Sequence, residues 1–166
     1  EITRALSSGG MGSVYEAKDR TFGSKRCAVK MMLPHLIAGK NAEVFRARFR
    51  TEIKLLERLT HPGIPRFITS MENEVGFFLV MEFVQGRNLE QELEERLRLT
   101  GAPFPLDQAL RDARQILEVL GSLHSFDPPL IHRDVKPANL IREHPSGRIK
   151  LVDFGLARSL DAGQAT

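Results

Sequence analysis

The sequence predicts an α+β fold in two lobes, from three observations. Short strand-like runs dominate the first half and enclose one amphipathic helix, and helical periodicity plus a small hairpin dominates the second. Gln85-Gly86 breaks the chain between them. The expected lobes are residues 1–84 and 85–166.

The elements follow in chain order. Leu6 to Tyr15 reads as strand with a glycine cluster in its middle, and Val14-Tyr15-Glu16-Ala17 resumes the strand. After a turn at Phe22-Gly23-Ser24, Cys27-Ala28-Val29-Lys30-Met31 is the next one. From Ala42 to Leu59, Phe45, Phe49, Ile53 and Leu56 recur at three- and four-residue steps, widened by Leu55 and Leu59. Thr60-His61-Pro62-Gly63 stops that helix. Strands Arg66–Ser70 and Phe77–Glu82 flank the polar turn Glu72-Asn73-Glu74. Past the break, Asn88 is placed to cap a charged helix, Leu89–Leu99. After the loop from Gly101 to Pro105, Leu110, Ala113, Leu117, Leu120 and His124 mark a longer helix that Asp127-Pro128-Pro129 ends. A hairpin across Pro145-Ser146-Gly147 closes the series.

Bulk composition narrows the functional class. Of 166 residues, 42% are hydrophobic and 27% charged, the balance of a chain with a real core rather than a disordered one. A net charge of +3 is too small to argue for nucleic acid, although a basic pI is compatible with acidic ligands such as nucleotide phosphates. Cys27 is the single cysteine, which excludes an internal disulfide and a four-cysteine zinc site and favours a reducing compartment. The apolar stretch from Val75 to Met81 is too short to span a bilayer, and Glu1-Ile2-Thr3-Arg4 has no signal-peptide pattern.

Four segments carry chemistry. In Leu6-Ser7-Ser8-Gly9-Gly10-Met11-Gly12-Ser13-Val14-Tyr15, glycines would let backbone approach a phosphate; a plain hairpin turn is the alternative. Lys30 on its strand needs a charge partner if it points inward, and Glu52 on the helix is the candidate; two solvated surface charges are the alternative. The run Ile131-His132-Arg133-Asp134-Val135-Lys136-Pro137-Ala138-Asn139-Leu140 puts a carboxylate, an ammonium and an amide in one loop. Asp134 can take a proton from a hydroxyl nucleophile, Lys136 can neutralise a transferring phosphoryl group, and Asn139 offers oxygen to a hard cation. Asp153-Phe154-Gly155 follows the strand Ile149-Lys150-Leu151-Val152, where a carboxylate can meet Asn139 at a shared Mg²⁺.

In this order the segments resemble the eukaryotic-like (Hanks-type) protein kinase family, Ser/Thr branch. His61-Pro62-Gly63-Ile64-Pro65 and Phe49-Arg50-Thr51-Glu52 are most similar to bacterial members. The resemblance implies a two-lobed kinase-like fold with a complete N-lobe and a partial helical C-lobe. It implies that Gly9, Gly10 and Gly12, with Leu6 and Val14, roof ATP, and that Ala28 and Ile141 sandwich the adenine. Lys30 would hold the α- and β-phosphates and pair with Glu52. Met81 would back the adenine pocket, and Glu82 to Val84 would form the hinge. Asp134 would be the catalytic base, Lys136 the phosphate clamp, and Asn139 and Asp153 the Mg²⁺ ligands. Leu56, His132 and Phe154 would join a hydrophobic stack, and Arg133 would await a phosphorylated activation loop.

The sequence departs from the family pattern twice. Ser7 stands where the glycine loop usually opens with Gly, and the chain stops at Thr166, inside the activation segment and short of the Ala-Pro-Glu motif. Three functions stay open: a Ser/Thr protein kinase acting on protein hydroxyls, a non-catalytic nucleotide-binding or interaction module, and a small-molecule phosphotransferase. Lys136-Pro137 and Asp153-Phe154-Gly155 speak against the third. The expected setting is cytoplasmic, with no membrane segment in this chain, no nucleic-acid partner, and dimerisation through exposed apolar surface on the helix from Leu106 to His124.

Overall fold

A computed structural model describes residues 1–9, 12–20, 23–32, 42–73, 76–154 and 158–159. Gly10, Gly155 and Thr166 lie outside the described residues, as does the side chain of Phe45. Spatial proximity groups the chain into two compact units, residues 1–60 with 66–83 and residues 61–65 with 84–166.

The first unit is a five-stranded sheet of order β1-β2-β3-β5-β4, with every neighbouring pair antiparallel. Its strands are β1 (Ile2–Gly9), β2 (Gly12–Asp19), β3 (Lys25–Met32), β4 (Phe67–Asn73) and β5 (Gly76–Glu82). Alternation along the central strands turns Ala17, Cys27, Val29 and Val80 into one buried cluster, against which Phe78 packs. β4 outlasts the expected Ser70 because Glu72 and Asn73 still pair with Phe77 and Gly76, and the Asn73 side chain accepts from the Gly76 N–H. Arg66 joins the strand pair from outside: its N–H donates to the Glu82 carboxylate, and its carbonyl accepts from the Glu82 N–H.

Helix α1 (Ala42–Arg58) lies in this unit, with Phe49, Leu55 and Leu56 buried, as is Leu59 just beyond its end. Phe49 meets Phe77 of β5 edge-on at 5.7 Å between ring centroids, and the guanidinium groups of Arg46 and Arg50 stand over the same ring. These contacts fix the rotation of α1 and hence the direction of Glu52, three residues past Phe49.

The second unit holds α2 (Leu89–Thr100), α3 (Leu106–His124), the two-residue strands β7 (Leu130–Ile131) and β10 (Arg158–Ser159), and a sheet of order β6-β8-β9. That sheet comprises β6 (Gly86–Asn88), β8 (Leu140–Glu143) and β9 (Ile149–Leu151). Asn88 caps α2 as its residue type predicts: its side chain accepts from Gln91 N–H while the Gln91 side chain accepts from Asn88 N–H. Gly101, at φ 67°, ends the helix in the left-handed conformation.

Two further features depart from the sequence reading. Gly86 is not only a break: it opens β6, pairs with Glu143 and lies so close to β8 that an added Cβ would fall 1.9 Å from the Arg142 carbonyl oxygen. On α3 the buried positions are Asp112, Val119 and Leu123, whereas Leu106, Leu110 and Leu117 stay 61–75% exposed. The apolar stripe that periodicity marks therefore lies on the open side of the helix. His61–Pro65 groups with this unit because Leu151 N–H donates to Gly63 O at 2.8 Å and Gly63 sits against Val119. Among the described residues no helix is long and apolar enough to cross a membrane.

Candidate active site

In the first unit Gly9 ends β1 and Gly12 begins β2. Gly9 pairs with Gly12, and the Ser8 and Ser13 hydroxyls share a hydrogen bond between the two strands. A Cβ on Gly12 would come 2.5 Å from the Met31 carbonyl oxygen, so only glycine fits where β2 begins beside β3. Val14 lies opposite Lys30, Leu6 is exposed on β1, and buried Ala28 lies opposite Met81 on β5.

Lys30 and Glu52 are both buried, and Nζ lies 2.7 Å from Oε1. A buried ammonium needs such a partner, and a carboxylate brought in by a separate helix supplies it. Glu82 ends β5 with its N–H already held by Arg66.

In the second unit Val84 is buried, and Ile141 on β8 lies between Asn88 and Lys150. Buried His132 packs edge-on against Phe154 at 4.8 Å, and its Nδ1 accepts the Asp134 N–H at 3.3 Å. Arg133 takes φ 68°, a left-handed conformation that redirects the chain between His132 and Asp134.

Asp134, Lys136 and Asn139 converge. Lys136 Nζ is 2.8 Å from Asp134 Oδ2, and Asn139 Nδ2 donates to that oxygen and to the Asp134 carbonyl, both at 2.9 Å. The Lys136 ammonium, seconded by the Asn139 amide, holds the Asp134 carboxyl below its ordinary range. In return Asp134 raises Lys136 above its ordinary value. Pro137–Asn139 is a short 3₁₀ turn that sets this spacing.

Asp153 acts on the same group. Its charge pushes Asp134 up and Lys136 further up, and it takes φ 65°, where Asp is better tolerated than most residues. Val152 N–H donates to the Asn139 carbonyl at 2.9 Å, tying the approach to Asp153 to Asn139. With its Nδ2 turned to Asp134, Asn139 keeps Oδ1 as its acceptor. An amide oxygen and a carboxylate are hard donors suited to a divalent cation that takes its other ligands from phosphate and water. Among the described residues no group of three or more His, Cys, Asp or Glu is placed to hold a metal ion.

A family model described as a protein kinase domain matches residues 1–166. The chain belongs to the protein kinase family. The family uses ATP and a divalent metal. This kinase chain is 32% identical over 165 residues to the probable serine/threonine-protein kinase PknB of Lactococcus lactis subsp. lactis, covering 99% of the chain and 25% of that relative. It is 36% identical over 172 aligned positions to serine/threonine-protein kinase PknA of Mycobacterium tuberculosis, covering 99% of the chain and 37% of the relative. It is 33% identical over 156 residues to serine/threonine-protein kinase B of a Synechocystis species, covering 93% and 26%. The kinase chain thus spans about a quarter to just over a third of the length of these relatives.

Four residues around the β8–β9 hairpin escaped the sequence reading. Arg142 on β8 binds Asp112 of α3 through Nη1 and Nη2, each at 2.8 Å, and Glu92 of α2 through Nε at 2.9 Å. Gln115 of α3 accepts the Ile149 N–H at 3.0 Å. The signals available were an arginine in an apolar strand and an aspartate inside a helical stripe, both of which read equally well as surface charges.

Proposed function

We propose that this chain carries the nucleotide-handling and catalytic parts of a Ser/Thr protein kinase, moving the γ-phosphoryl group of ATP to a Ser or Thr hydroxyl of a protein. The observation that carries this reading is the Asp134–Lys136–Asn139 arrangement. Among the described residues Lys136 and Asn139 both bind the Asp134 side chain at Oδ2, which leaves Oδ1 to take the proton of an incoming hydroxyl. The new O–P bond forms as the bond from the γ-phosphorus to the bridging oxygen breaks, and ADP leaves with that electron pair. Lys136 offsets negative charge on the phosphoryl oxygens in flight.

Lys30, steadied by Glu52, would bind the α- and β-phosphates. Leu6, Gly9, Gly10, Gly12 and Val14 would cover the nucleotide, with Ala28, Met81, Glu82, Val84 and Ile141 around the base. Asn139 and Asp153 would hold Mg²⁺, which when bound neutralises phosphate charge. Residues 1–84 would then carry the glycine-rich loop and the hinge, and residues 85–166 the catalytic loop and the start of the activation segment. A site that uses ATP would work on the cytoplasmic side, where ATP is supplied.

Transfer of radiolabel from γ-labelled ATP to Ser- and Thr-containing proteins, by the natural polypeptide carrying this sequence, tests the reading. Labelled phosphoserine or phosphothreonine is expected. Nucleotide binding with no transfer to any protein would favour the non-catalytic module instead.

A further inference from the structure

Asn139 and Asp153 belong to the same end of one hairpin. β8 begins directly after Asn139, and β9 ends at Leu151, just before Asp153, with Leu140 opposite Leu151. The spacing of the two expected cation ligands therefore depends on how the hairpin is held.

It is held from one face of α3. Asp112 and Gln115 are three residues apart, so they project from the same side of the helix. Asp112 grips β8 through the two-point bond to Arg142, and Gln115 grips β9 through the backbone N–H of Ile149. Glu92 adds a bond from α2, so the Arg142 guanidinium is fixed by two carboxylates. Asp112 is only 5% exposed. A buried ion pair of this kind is a weak source of net stability, because desolvation offsets its attraction, but its planar two-point geometry fixes direction closely. Neither Asp112 nor Arg142 touches Asp134, Lys136 or Asn139 among the described contacts.

We propose that Asp112, Gln115 and Arg142 are positioning residues that set the spacing of Asn139 and Asp153 for a divalent cation. They act through the hairpin, and the inference rests on the kinase reading above.

The test is binding, not turnover. The natural polypeptide is titrated with a fluorescent ADP analogue at rising Mg²⁺, which gives the metal-free affinity and the Mg²⁺ concentration for half-maximal enhancement. Gln115→Ala is expected to raise that concentration about tenfold, the usual scale for losing an outer support of a metal site, with metal-free affinity unchanged. Gln115→Glu keeps the acceptor for Ile149 N–H and should restore the wild-type value. Arg142→Met combined with Asp112→Asn, which leaves no charge buried at Asp112, should resemble Gln115→Ala. A general structural role would lower the melting temperature of these variants without moving the Mg²⁺ midpoint. A wild-type midpoint in Gln115→Ala, or equal shifts in the Ala and Glu variants, overturns the inference alone. If wild-type binding shows no Mg²⁺ dependence, the kinase reading falls and the inference with it. Should the double variant fail to fold, the Gln115 pair decides.

Discussion

Lys30–Glu52 in the first unit and Asp134–Lys136 in the second are both carboxylate–ammonium pairs, at 2.7 and 2.8 Å, yet they are built differently. The first joins a strand to a helix across 22 residues and is buried on both sides. The second spans two residues of one loop, with the Lys136 side chain 52% exposed. A buried pair whose partners come from separate elements reports on the position of α1, so on the proposed reading it would couple helix placement to nucleotide binding. A loop pair near water can exchange partners when a phosphoryl group arrives. The difference suits one pair to hold and the other to react.

The largest expected effect comes from breaking the buried pair. Lys30→Met should leave Glu52 charged and buried, at a cost of about 3 kcal/mol or more in unfolding free energy, and lower phosphoryl transfer about a hundredfold or more. Chemical denaturation and the transfer assay read these separately. Adding Glu52→Leu should recover most of the stability and none of the transfer, because an apolar pair replaces the ion pair in the core but cannot bind phosphate. Recovery of both would show that the pair serves only folding.

A smaller effect sharpens the description of the loop. The Lys136 ammonium is the main cause that holds the Asp134 carboxyl low, so Lys136→Met should raise it toward the ordinary carboxylate range. The base works only when ionised, so the acid limb of the pH–rate profile should move to higher pH in the variant. An unmoved limb would mean that Lys136 does not set the protonation of Asp134. In stability the sign is the same for the wild type. A carboxyl with a depressed folded-state pKa contributes stability above its unfolded value, and that contribution disappears as pH falls through the folded value. The smallest effect is at Asp107, whose pairing with Arg111 on α3 at 2.8 Å is exposed on both sides. Asp107→Ala should leave both melting temperature and transfer unchanged within error.

Local chemistry was legible in the sequence, and long-range closure was not. Asn88, α1 and the catalytic-loop residues can be read because their signals lie within a few positions of one another. Gly86 reads as a break because a polar Gly-Arg-Asn run has no strand signature; it becomes β6 only by lying against Arg142. Gly63 reads as a helix stop, and its bond to Leu151 spans 88 residues of chain. Arg142 meets partners 50 and 30 residues away, and nothing in its neighbourhood distinguishes it from a surface arginine. On α3 the periodicity of Leu110, Ala113 and Leu117 is real, but a helix with apolar residues on two sides does not say which side is covered.

Asp134→Asn in the natural polypeptide, assayed in parallel for γ-phosphoryl transfer and for nucleotide affinity, tests the division between holding and reacting most directly. Asparagine keeps the shape of the side chain and removes the proton acceptor. Transfer should fall by at least about a hundredfold while ATP affinity stays within about twofold of wild type. Undiminished transfer by Asp134→Asn would contradict the assignment of Asp134 as the base, and with it the kinase mechanism proposed for this chain.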